Sequence, residues 1–103
     1  MEDLEQRRLA AIVFADVVSY SKLIQKNELR TINSFKSHKT QLFKPLISRF
    51  GGRLVKTIGD GILMEFASAI KATECAISIQ EGMVERNKNI HKDESIFFRI
   101  GIH

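Results

Sequence analysis

The 103-residue sequence carries 44% hydrophobic side chains and 16 Lys and Arg against 12 Asp and Glu, a formal charge of +4. That length suits one small domain with one core and is too short for two, so a single domain over residues 1–103 is expected. Apolar runs such as Ala10 to Ala15 fall far below the roughly 18 residues of a membrane span, and Met1 to Arg8 is charged rather than signal-like, so the expectation is a soluble, cytoplasmic protein.

After the charged lead-in, "LAAIVFAD" is apolar on both faces and ends at Asp16, which predicts a buried central strand. The following "VVSYSKLIQKN" offers Ser19 or Ser21 as a helix cap. A second helix is predicted in "NELRTINSFKSHKTQLFKPLISRFGG", where Leu29, Ile32, Phe35, Leu42, Phe43, Leu46, Ile47 and Phe50 recur at helical spacing. Asn27 starts it and Gly51-Gly52 stops it. Pro45 lacks the amide proton that the helix ladder needs, so it kinks or divides this helix.

Two strands follow, "RLVKTI" and "ILMEF", joined through Gly59-Asp60-Gly61, the composition of a two-residue primed turn. Ser68 then caps a helix that places Ile70, Ala72, Cys75, Ala76, Ile79 and Met83 on one face. "KNIHKDES" is a polar loop, and "IFFRIGIH" is a fourth strand.

The order β-α-α-β-β-α-β is the ferredoxin-like plan with its first helix divided: an α+β fold, a four-stranded antiparallel sheet with helices on one face. In that topology strands one and two run parallel with strand three between them. Their C-terminal ends leave the sheet at the same edge, so Asp16 and Asp60 converge. Taken singly, Asp16 is a helix cap and Asp60 a turn former. Together they suit hard divalent cations, which take oxygen ligands and leave room for phosphates. The loop "VVSYS" leads into a helix start whose free N–H groups suit phosphate oxygens, although it has no glycine and is not a Walker loop. Lys56 shares strand parity with Leu54 and Ile58. It is either a side chain that snorkels out at the edge or a donor fixed in a pocket, suited to a nucleobase acceptor or a phosphate.

Other chemistries are disfavoured. The basic residues Arg7, Arg8, Lys36, Lys39, Lys44, Arg86, Lys88 and Lys92 are scattered without interleaved aromatics, so no nucleic acid is expected as a partner. His38, His91 and His103 lie far apart without cysteine partners, which argues against zinc. Cys75, the one cysteine, cannot form an internal disulfide and sits in a small-apolar pattern typical of a buried thiol.

"RRLAAIVFADVVSYSKL", "GGRLVKTIGDGILMEFAS" and "FFRIGIH" together resemble the opening half of the class III adenylate/guanylate cyclase catalytic domain, from Arg7 onward. The resemblance implies that Asp16 and Asp60 are the catalytic, metal-binding aspartates and that the Val17 carbonyl is a further metal ligand. Val17, Val18, Ser19 and Tyr20 would border the triphosphate. Lys56 falls where adenylate cyclases read adenine and guanylate cyclases usually carry glutamate. ATP is therefore the favoured substrate, converted to cyclic AMP and pyrophosphate with two Mg2+ or Mn2+ per site.

In the family the partner is a second catalytic domain, so a homodimer or a cyclase-like partner chain is expected. The strand runs are apolar at both parities while the helices cover one face, which also calls for a partner on the other. The family continues past "FRIGIH" into a half-domain that supplies the second purine reader and the transition-state asparagine and arginine. Residues 1–103 are thus expected to be the core half of the domain, and Arg99 matches a strand position rather than the catalytic arginine. Whether the chain is itself an enzyme stays open. The alternative is a non-catalytic cyclase-like module for dimerisation or nucleotide binding. A diguanylate cyclase or polymerase palm shares the fold, but "TIGDG" is not the diguanylate signature.

Overall fold

Alternation decides the first strand. β1 (Ala11–Val17) buries Ala11, Val13, Ala15 and Val17 and leaves Ile12, Phe14 and Asp16 half-buried on its other face. The computed structural model of the protein describes residues 10–103. The charged lead-in Met1 to Arg8, with Arg7 and Arg8, and Leu9 of the expected first strand lie outside the described residues.

Two helices follow, α1 (Tyr20–Lys26) and α2 (Glu28–His38), and Asn27 joins them. The Asn27 side chain accepts a hydrogen bond from the Arg30 amide, as an N-cap should. Thr31, buried in α2, donates its hydroxyl to the Leu23 carbonyl at 3.0 Å and so ties the two helices together. The chain then widens into a π turn, Lys39–Phe43, before α3 (Lys44–Arg49). Here the Lys44 amide reaches back to the Lys39 carbonyl, and Pro45 follows where the ordinary ladder is already interrupted. The expected division at Pro45 is present. Gly51 and Gly52 close α3 by donating to the Ser48 and Ile47 carbonyls at 3.1 and 2.8 Å, the paired bonds of a Schellman motif.

The second half contains β2 (Arg53–Ile58), β3 (Gly61–Phe66), α4 (Ala69–Asn87), a short 3-10 turn (Lys92–Glu94) and β4 (Phe98–Ile102). Ser68 caps α4 by accepting from the Ile70 and Lys71 amides. The sheet order is β2-β3-β1-β4, and every neighbouring pair is antiparallel, which is the ferredoxin-like topology. The helices pack on the face that carries Val13, Ala15, Ile62, Met64 and Phe66. Phe98 anchors this core, its ring 4.8 Å from that of Phe43.

Three expectations need correction. Leu29 and Ile70 are 70% and 71% exposed rather than on the buried faces. Each lies two residues before the first buried position of its helix, Thr31 or Ala72, and two residues turn a helix by roughly 200°. Lys56 does not share a face with Leu54. Leu54 pairs with Met64 and Lys56 with Leu63, so the register shifts by one residue at Val55. That bulge returns Leu54 to the helix-covered face and puts Lys56 on the open one.

Arg86 of α4 reaches across to the second helix and the π turn. Its guanidinium donates to His38 Nδ1 at 2.8 Å, to the Ser37 hydroxyl at 3.0 Å and to Gln41 Oε1 at 3.0 Å. Burial, and then the Arg86 charge, lower the His38 pKa from 6.5 to about 4. The unfolded chain therefore takes up this proton at a higher pH than the folded one. Between pH 6.5 and about 4 the unfolded state binds more protons, so His38 costs stability as the pH falls through that window. Thermal melts of the wild type and His38→Gln should show the steeper loss in the wild type from pH 6.5 downward; parallel slopes would contradict the assignment.

Candidate functional site

The sheet edge formed by the C-terminal ends of β1 and β2 is built by β3, which lies between them and pairs with both. Ile58 pairs with Gly61, so Gly59 and Asp60 form a two-residue turn. Gly59 has φ +58° and Asp60 does not share that sign, the pattern of a type II′ turn, which suits the right-handed twist of the strands. The Phe14 ring lies so close over Gly61 that an added Cβ would meet it at 2.5 Å. An absent side chain thus lets β1 press against the base of the hairpin.

The turn delivers Asp60 to the end of β1. The Val17 amide donates to Asp60 Oδ2 at 3.0 Å, across 43 positions of sequence. Next to Val17, Asp16 Oδ1 accepts from Arg99 Nε at 3.0 Å, and the two residues are register partners of β1 and β4. The two aspartates therefore converge as their strands require. Asp16 does not cap a helix, and Asp60 does more than form a turn.

Beyond Val17 the chain is held by the Val18 amide, which donates to the Phe97 carbonyl at 2.8 Å. Ser19 then adopts the left-handed conformation, φ 56° and ψ 42°, which is uncommon for a residue other than glycine. Its carbonyl accepts from the Lys22 and Leu23 amides at 3.1 and 3.2 Å and starts α1. Ser19 is thus the N-cap residue, one of the two serines expected there, but its hydroxyl makes no capping hydrogen bond, and Ser21 already lies inside the helix. A helix started this way leaves first-turn amides without intrahelical acceptors. Tyr20, the first residue of α1, packs half-buried against the core.

A cavity of about 230 Å³ opens beside this loop, lined by Val18, Ser19, Lys22, Lys26, Lys92 and Phe97 among others. Lys26 pairs with Asp93 at 3.6 Å, and Lys22 and Lys92 add positive charge to the rim. Sequence reading overlooked this basic rim, because Lys92 belongs to the polar loop and only the tertiary fold brings it to α1. A larger cavity, about 280 Å³, is lined by Ser34, His38, Arg86 and Glu94 and shares no residue with the carboxylate edge.

Lys56 is exposed and makes no ion pair with either aspartate among the described residues. It occupies the open sheet face in a row with Leu63 and Phe14, on the same face as Asp16. Two strand spacings and one two-residue step separate the Lys56 and Asp16 backbones, roughly 12 Å. The lysine is thus presented outward rather than folded into its own carboxylate edge.

The donor set suits a hard cation. Asp16 uses Oδ1 and Asp60 uses Oδ2 in hydrogen bonds, which leaves the other oxygen of each carboxylate without a protein partner among the described residues. No cluster of three or more His, Cys, Asp or Glu side chains exists among those residues. Any further ligands would be backbone carbonyl, water or substrate oxygens. Among the described residues no helix is long and apolar enough to cross a membrane.

A family model described as the adenylate and guanylate cyclase catalytic domain matches residues 3–103. The chain is 39% identical over 98 residues to a Rhizobium meliloti (strain 1021) protein assigned provisionally as adenylate cyclase 3, covering 95% of this chain and 17% of that protein. It is 32% identical over 101 residues to an adenylate cyclase of Streptomyces coelicolor, covering 98% of this chain and 25% of the relative. The crystal structure of an adenylate/guanylate cyclase/hydrolase from Silicibacter pomeroyi superposes with a TM-score of 0.84 at 42% identity, covering 92% of this chain and 55% of that one. The chain thus spans about half the length of the solved structure and a quarter or less of these two relatives.

The bond between Asp60 and the Val17 amide has a structural consequence that is separable from chemistry. Asp60→Ala removes a charged acceptor from a half-buried amide and should lower folding stability by about 1–2 kcal/mol in denaturant unfolding. Asp60→Asn, which keeps an acceptor oxygen, should lose less; equal losses would show that the bond contributes little.

Proposed function

The chain belongs to the adenylate and guanylate cyclase catalytic domain family, and from that footing we propose that it binds a divalent cation with ATP at the Asp16–Asp60 edge. In the complete, dimeric domain this edge would serve the conversion of ATP to cyclic AMP and pyrophosphate. The observation that carries the reading is the Val17–Asp60 hydrogen bond, which ties the Asp60 carboxylate to the residue that follows Asp16.

The residues divide the work by position. Asp16 and Asp60 would hold two Mg2+ or Mn2+ through their carboxylates, with the Val17 carbonyl as a further ligand. Bound there, the cations would lower the pKa of the ribose 3′-hydroxyl and offset charge on the departing pyrophosphate. Val17, Val18, Ser19 and Tyr20 would border the triphosphate. The left-handed Ser19 supports this, because it starts α1 directly after the end of β1, where first-turn amides have no intrahelical acceptors. The lysine rim of the adjoining cavity would raise the local concentration of a polyanion.

Lys56 would select the base. Its ammonium donates to a ring nitrogen acceptor, which adenine offers, whereas a glutamate at the same place would accept from guanine. Its outward placement supports a role across an interface, with the lysine of one domain serving the carboxylates of another. The open sheet face supports the same arrangement. Ile12, Phe14 and Leu63 are only half-buried there, and Ile58 is 55% exposed. We therefore propose a homodimer, or pairing with a cyclase-like chain, through this face.

Calorimetric titration of ATP in the presence of Mn2+ tests the site. Asp60→Ala and Asp16→Ala should each weaken binding at least tenfold, and omitting the metal should do the same; indifference to all three would refute the assignment. Base choice is tested by Lys56→Glu, which should shift the ATP to GTP preference several-fold toward GTP. An unchanged ratio would remove Lys56 from base recognition while leaving the metal site standing.

A further inference from the structure

Asp16 and Asp60 are held by unlike partners. Asp60 Oδ2 is bonded to a backbone amide at the end of a central strand, which cannot withdraw without loosening β1. Asp16 Oδ1 is bonded to the end of a long side chain, Arg99, that is 71% exposed, while Asp16 itself is 29% exposed. One partner is fixed and the other can swing away. Resting on the reading of these carboxylates as a cation site, we propose that Arg99 is the counter-ion of Asp16 when no cation is bound, and that a divalent cation reaches Asp16 by displacing it.

Two like charges brought to one edge repel each other. A guanidinium on one of them offsets that repulsion and holds the Asp16 carboxylate in place while the site awaits its cation. A doubly charged ion cannot share Asp16 with a guanidinium at hydrogen-bond distance without strong repulsion. Binding therefore exchanges one cation for the other. Arg99 is well placed for such an exchange: β4 is an edge strand of the sheet, and the register fixes Arg99 opposite Asp16 whatever its side chain does. Arg53 and Glu65 provide an internal contrast. They form a similar cross-strand pair at 2.7 Å on the same open face, away from the two aspartates.

The exchange predicts a metal affinity held below its intrinsic value. Mn2+ binding should be followed by electron paramagnetic resonance at low salt, without nucleotide, for the wild type, Arg99→Met, Arg53→Met and Asp16→Asn. Arg99→Met should bind Mn2+ about 2- to 5-fold tighter, the range expected for removing a competing, partly exposed ion pair. Arg53→Met removes the same charge from the same face and should leave the affinity within error. Unchanged or weaker binding by Arg99→Met would overturn the proposal and make Arg99 a supporting residue. Binding by Asp16→Asn equal to the wild type would instead refute the cation site, and the exchange with it. A second measurement needs no variant: the Arg99 Nε–H resonance of the wild type should shift during a Mg2+ titration with the midpoint of metal binding, and the Arg53 resonance should not. An unmoved Arg99 signal while metal binds would also overturn the exchange.

Discussion

One hydrogen bond, from the Val17 amide to Asp60 Oδ2 at 3.0 Å, couples the two halves of the carboxylate edge. Antiparallel pairing of β3 with both β1 and β2 brings the strand ends to the same side. Pairing alone would leave Asp60 free at the tip of a two-residue turn. The bond converts proximity into a fixed relation, because its donor is main chain and belongs to the residue that follows Asp16. The absence of a side chain at Gly61, with the Phe14 ring in its place, removes the slack that would let the hairpin lift away.

The loop after Val17 is restrained with equal economy. Val18 remains bonded to the carbonyl of Phe97, the residue just before β4, while Ser19 reverses the chain in a left-handed conformation. Such a conformation in a non-glycine residue is tolerated where neighbouring bonds over-determine it. Here the Ser19 carbonyl already accepts the first amides of α1. β4 is in turn held from below, since Gln80 and Asn87 of α4 donate to the Phe98 and Ile96 carbonyls at 2.9 Å each. The buried ring of Phe98 connects that anchorage to the helical core. The geometry of the edge thus depends on the packing of α4 as much as on the turns that carry the aspartates.

Strand order, the division at Pro45, the caps at Asn27 and Ser68 and the meeting of Asp16 with Asp60 were all legible in the sequence, because each follows from local chemistry or from topology. What was not legible depends on single-residue register. The bulge at Val55 leaves no mark in "RLVKTI", yet it moves Lys56 to the opposite face from Leu54. Helical spacing includes Leu29 and Ile70 as readily as their buried neighbours, and only the docking angle of each helix excludes them. The Asp16–Arg99 pair requires the β1–β4 register, which no turn specifies because the two strands are far apart in sequence. Arg86 reads as one scattered basic residue until the fold brings it to His38.

The open sheet face combines these features into a surface with a direction. Its rungs alternate in character across the strands: Arg53 with Glu65 and then Ile12, Lys56 with Leu63 and Phe14, and Arg99 with Asp16 at the far end. An apolar strip therefore runs between two ion pairs, with one lysine left unpaired beside it among the described residues. A purely apolar face would accept any hydrophobic partner. Charges that are satisfied within the chain cost little to cover if their pairing survives, whereas the unpaired ammonium of Lys56 must meet an acceptor or keep its water. A surface of this composition favours a partner that brings an acceptor to Lys56, which fits an interface closing around a polar ligand better than one that closes dry.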